Sequence, residues 1–109
     1  MAYSEALAQR IRTVKPAALN FTERKMFGGI AFMLNGNMCC GVVKDSLMAR
    51  VGAENHDSAL ELPHARLMDF TGRPMKGMLY VDPPGIATDA DLRAWVERCI
   101  AFVQTLPAK

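Results

Sequence analysis

The side chains best suited to chemistry in this chain are three cysteines, Cys39, Cys40 and Cys99, and two histidines, His56 and His64. A catalytic thiolate needs a base beside it and a further group to orient that base. Cys39 or Cys40 could meet either histidine in space, but nothing local in the sequence supports it, and a free cysteine is usually a small buried hydrophobe. Zinc asks for about four converging ligands. His56 and His64 stand eight residues apart across Pro63, with no paired-cysteine motif to complete a set. Adjacent strand residues point to opposite faces, so Cys39 and Cys40 are not expected to share an ion. Their odd number and adjacency also argue against a secreted disulfide framework. Reduced thiols in a cytoplasm are the expectation. Gly28-Gly29 lacks the spaced glycines and the following helix of a phosphate loop, and reads instead as a bend into a hairpin. Asp69 and Asp82, at strand ends, are expected to cap turns. The chain also lacks a glycine-rich strand-to-helix fingerprint and the length of a doubly wound dinucleotide domain. No catalytic residue, cofactor or metal is expected.

The elements that position these residues form one domain, since 109 residues are too few for two of ordinary size. Half the residues are hydrophobic and 22% are charged, a balance that supports a core and excludes disorder. The opening MAYSEALAQR is helical and charged, so no signal segment is expected. No apolar run approaches the ~20 residues of a membrane span.

A first helix is expected from Ser4, its cap, through Leu7, Ile11 and Val14 on one face, ending at Lys15-Pro16. A short connection through Asn20-Phe21-Thr22 follows. Residues 30–34 and 37–43 read as strands joined by Asn35-Gly36, a pair suited to a type I′ turn. A two-residue loop would set Leu34 opposite Asn37, Phe32 opposite Cys39 and Ile30 opposite Gly41. A second turn at Lys44–Ser46 leads into a third strand, 47–51. Glu54 to Leu62 reads as a short helix or turn, 65–70 and 76–81 as two strands joined through Thr71-Gly72-Arg73-Pro74, and Thr88 as the cap of a long last helix. In that helix Leu92, Trp95, Val96, Cys99, Ile100 and Val103 form a stripe broad enough to lie on a sheet. The order α-β-β-β-α-β-β-α predicts an α+β fold with an antiparallel sheet.

The hairpin is apolar on both faces: Ile30, Phe32 and Leu34 on one, Ala31, Met33, Met38 and Cys40 on the other. A sheet wetted on one side alternates more cleanly. Either helices cover both faces, or the second face meets a partner. Seven of the eight methionines, Met26, Met33, Met38, Met48, Met68, Met75 and Met78, gather in or near the strands, where flexible thioethers are ordinarily core filler and can also make an adaptable binding face. Net charge is +2, with Arg10, Arg12, Lys15, Arg24 and Lys25 concentrated in the first quarter. A nucleic-acid binder usually shows a stronger stripe, so a solvated face is the plainer account. Arg24, Lys25, Arg73 and Lys76 flank strands, where they would form a positive edge or guard against mispairing.

Lys25-Met26-Phe27-Gly28-Gly29, the hairpin with Gly36 to Val43, the stretch Phe70 to Val81 and the tail Asp91 to Val96 together resemble the N-terminal domain of TfoX/Sxy-type competence regulators. The resemblance runs from about Ser4 to Pro107, and Met-Phe-Gly-Gly is its most specific part. It implies an antiparallel sheet packed by a long C-terminal helix, akin to secretion-chaperone-like folds. It also implies a regulatory or adaptor role connected with DNA-uptake genes, exercised in the cytoplasm through a protein partner or a second copy. Full-length members carry a further helical domain, so this chain reads as a stand-alone, single-domain member. The family supplies no catalytic residues. Arg24, Lys25, Met26, Phe27, Gly28, Gly29, Met33, Met38, Cys40, Arg73 and Lys76 are its candidate interaction or motif positions, with Gly28 and Gly29 serving the bend and Met26 and Phe27 the core. Direct nucleic-acid binding through the basic N-terminal segment is the alternative; otherwise any nucleic-acid link is indirect.

Overall fold

The computed structural model describes residues 3–15, 19, 21–26, 29–67 and 77–107. In chain order these form helix α1 (Glu5–Val14), strands β1 (Thr22–Met26), β2 (Gly29–Leu34), β3 (Asn37–Val43) and β4 (Ser46–Arg50), a 3-10 turn (Ala53–Asn55), helix α2 (His56–Leu60), strands β5 (Ala65–Leu67) and β6 (Met78–Val81), a second 3-10 turn (Pro83–Ile86) and helix α3 (Asp89–Val103). The fold is α+β in the expected order apart from one added strand, β1, with the six strands in one antiparallel sheet arranged β1-β2-β3-β4-β6-β5.

The two long helices, α1 and α3, start where their caps put them. The Ser4 hydroxyl accepts from the Leu7 N–H and the Thr88 hydroxyl from the Asp91 N–H, both at 3.1 Å, satisfying donors that a helix start leaves free. The buried stripe of α3 is the six residues expected, Leu92 to Val103, and α1 buries Leu7, Ala8, Ile11 and Val14. The two helices touch and lie together over β3, with α3 also over β4. Arg10 ties them, donating to the Ile86 carbonyl at 2.8 Å and to Asp89.

Asn35 and Gly36 both take positive φ, 55° and 82°, as a type I′ turn requires. Lys44-Asp45 makes the second turn, since Val43 pairs with Ser46. The hairpin register differs from a straight two-residue count. Leu34 faces Asn37 and Met33 faces Met38, but Phe32 then faces Cys40 and Ile30 faces Val42. A β-bulge places the extra residue, Cys39, between these pairs, and every position beyond it shifts by one.

The sheet also gains a strand where a connection was expected. Thr22–Met26 pairs with β2 along its whole length and forms one edge. Its described side chains, Thr22 to Lys25, are exposed and mostly charged, the usual protection of an open edge. Gly29, where β2 begins, has no room for a side chain, because a Cβ there would collide with the Val42 carbonyl. The Thr71–Pro74 turn and the outer ends of the two strands it joins lie outside the described residues.

Candidate interaction surface

Strand alternation divides the sheet into two faces of different character. Ile30, Phe32, Leu34, Cys40, Val42, Leu47, Ala49, Leu79 and Val81 point inward and join the helices in one core. Met48, Met78, Met38, Val43 and Tyr80 form a separate apolar cluster on the outer face, and every member of it belongs to a strand. Of the two arrangements the hairpin left open, the helices therefore gather on one face. Met48 and Met78 are buried, while Met33, Met38, Val43 and Tyr80 are half-buried. Arg24 pairs with Ala31 in register and is exposed beside this cluster. At its far side Arg66 lies 5.0 Å over the Tyr80 ring and donates through Nε to both Asp82 oxygens, at 2.8 and 2.9 Å. The Asp82 carboxylate is thus spent on Arg66 and Ser46 rather than on capping the turn that follows it.

Of the interaction positions expected from sequence, Arg24, Met33 and Met38 fall on or beside the outer face, and Gly29 underlies it. Lys25 is exposed on the edge strand but alternates to the helix side, the side on which Glu23 meets α1. Cys40 instead points into the core and is fully buried. Phe27, Gly28, Arg73 and Lys76 lie outside the described residues, as does the side chain of Met26.

The bulge also overturns the expectation that Cys39 and Cys40 face apart. Both are completely buried in the same core as Cys99. The extra residue at Cys39 breaks the two-residue alternation, so successive side chains enter one layer. The Cys40 thiol is pushed up by its hydrogen bond with Cys39 and then by burial, and the Cys99 thiol is pushed up chiefly by burial. Protonated, enclosed thiols are poor nucleophiles. Among the described residues no three His, Cys, Asp or Glu side chains are gathered to hold a metal ion.

The histidines separate into two environments. His56 is buried, and its Nδ1 accepts from the Gly77 N–H at 2.8 Å, fixing the entry to β6. His64 is exposed in a left-handed conformation, φ 66°. Sequence reading missed what surrounds it, a groove shared with α3, because no spacing in the chain links residue 64 to residues 91–98.

The basic N-terminal residues do not form a stripe. Arg10 serves Ile86 and Asp89, and Lys15 donates to the Leu19 carbonyl at 2.8 Å. Arg12 makes a two-pronged pair with Glu23, both bonds 2.7 Å, and a third contact with Glu5. That pairing lowers the Glu23 carboxyl and raises the Arg12 guanidinium. No helix among the described residues is long and apolar enough to cross a membrane.

The family model of the TfoX N-terminal domain matches residues 15–103. Neither the comparison with curated proteins nor that with solved structures gave a match.

Proposed function

This chain belongs to the TfoX N-terminal domain family, and from that premise we propose that it is a non-enzymatic regulatory or adaptor module. It acts in the cytoplasm by holding a protein partner, either a regulator or a second copy of itself, on the outer face of its sheet. The carrying observation is the strand-only apolar cluster of Met38, Val43, Met48, Met78 and Tyr80. A two-layer domain needs only one apolar sheet face for its helices. Here the second face is apolar as well, and methionine gives it side chains that adapt to a partner's shape. Fully enclosed thiols favour a non-catalytic role over a cysteine enzyme. A link with DNA-uptake genes follows the TfoX family, and any contact with nucleic acid runs through the partner.

The test is light scattering of the purified protein together with affinity capture from its native host. The expected result is a concentration-dependent dimer or a specific co-purifying regulator, lost in Met38→Glu while circular dichroism stays unchanged. A clean monomer at high micromolar concentration removes the self-association arm. Capture that is indifferent to Met38→Glu removes the outer face as the surface.

A further inference from the structure

A groove of about 310 Å³ runs between the first half of α3 and the turns that carry His64 and Gly85. From α3 it takes Asp91, Trp95 and Arg98, which share one stripe of the helix at spacings of four, three and seven. Pro84 and His64 supply part of the opposite wall. Trp95 is rooted in the core at 5% exposure, and the Arg98 guanidinium lies 5.8 Å from the centre of its ring. The floor is therefore a buried ring with a cation held over it.

Two further observations mark this groove. His64 holds φ 66°, a left-handed conformation uncommon outside glycine, and residues held in sparsely populated conformations cluster at binding sites. The neighbouring turn is fitted to it, since a Cβ on Gly85 would stand only 3.0 Å from that of His64. Asp91 and Arg98 are opposite charges at the two ends of the groove, and neither makes an ion pair among the described residues.

We infer that the groove binds a short peptide with free termini, its carboxylate on Arg98, its ammonium on Asp91 and an apolar side chain against the exposed rings of Pro63 and Pro84. Seven helical residues separate the two charges by about 10.5 Å along the axis, and long helical side chains lean back toward the N-terminus, which shortens that span for Arg98. An extended residue covers roughly 3.3–3.6 Å, so a dipeptide or tripeptide reaches both ends. A single amino acid carries both charges on one carbon and reaches only one. A nucleotide brings no ammonium for Asp91. Guanidinium and carboxylate match in geometry as well as charge.

Trp95 is the only tryptophan and lies beneath Arg98 in the groove, so its fluorescence responds to what binds there. The probes are alanyl-leucyl-alanine, its N-acetylated form and its C-amidated form. The free tripeptide is expected to give a saturable change at millimolar concentration or below. Capping either end should weaken it about tenfold, the size of one lost charge-assisted contact. Arg98→Gln should abolish the penalty for amidation alone, and Asp91→Asn the penalty for acetylation alone. Both side chains are exposed, and circular dichroism confirms that each variant is folded. Absence of a saturable change, or capped peptides that bind as well as the free one, overturns the inference. So does a variant that keeps the wild-type preference at its own end. None of these results bears on the outer sheet face, which is tested separately.

Discussion

Cys40 keeps its proton through its hydrogen bond with Cys39 and then through burial, and Cys99 chiefly because the core around it offers a thiolate no water. The unfolded chain offers water freely, and its thiols ionise near their ordinary value of about 8.5. A group whose folded pKa lies above its unfolded one contributes fully below the unfolded value and loses that contribution as pH rises past it. Stability should therefore hold to about pH 8 and then fall by roughly 1.4 kcal/mol per pH unit for each such thiol. Urea midpoints followed from neutral to alkaline pH check this, and Cys99→Ala should flatten the slope. Native-state thiol titration at neutral pH should proceed only as fast as the protein opens. His56 gives a second prediction at this scale. Its Nδ1 is the acceptor for the buried Gly77 N–H. Removing that acceptor in His56→Ala leaves a backbone donor unmet, and should cost about 1–3 kcal/mol in denaturant unfolding. Had His56 served only to fill space, His56→Leu would recover most of the loss.

At the scale of elements, the β2–β3 hairpin separates what the sequence makes legible from what it does not. Asn35-Gly36 announces the turn because few residue pairs accept positive φ twice in succession. Gly36→Ala should accordingly cost about 1–2 kcal/mol, read as a lowered unfolding midpoint with the fold otherwise unchanged. A variant as stable as the wild type would mean that the turn can adopt another type. The bulge four residues away was illegible. Cys39 is no different in kind from Cys40, and both enter the core with Cys99, so no local preference marks which of them is the extra residue. Strand β1 hid for a related reason. Thr22-Glu23-Arg24-Lys25 has no apolar alternation, because an edge strand with its charges in water buries too little to show one. Both helices were readable through their caps and stripes, which depend on neighbours three and four residues away. The groove beside His64 depends on residues about thirty positions apart, and such proximity leaves no trace in spacing.

Across the whole molecule, charge and apolar surface are distributed by the sheet. The inner face is closed by helices, the outer face carries methionines, and the basic residues of the first quarter are largely occupied with internal partners. Arg24 and Lys25 remain in the open, but they alternate to opposite sides of β1. Direct binding of nucleic acid needs several cations on one surface and weakens steeply with salt. The purified protein should therefore give no mobility shift of DNA or RNA even at low ionic strength. A salt-sensitive shift abolished by Arg24→Gln and Lys25→Gln together would restore the direct reading. Within the same whole, α3 closes the core and reaches back to the start of the chain, with Asp89 meeting Arg10 and the Pro107 carbonyl accepting from Asn37. These contacts join segments 79 and 70 residues apart. During synthesis the four-stranded meander leaves the ribosome with only α1 to cover part of its inner face, and the rest must wait for α3. Contacts this distant in sequence slow folding and prolong the exposure of unpaired apolar surface. The nascent chain is thus committed late, and the interval before α3 emerges is the one in which a holding chaperone would act on it.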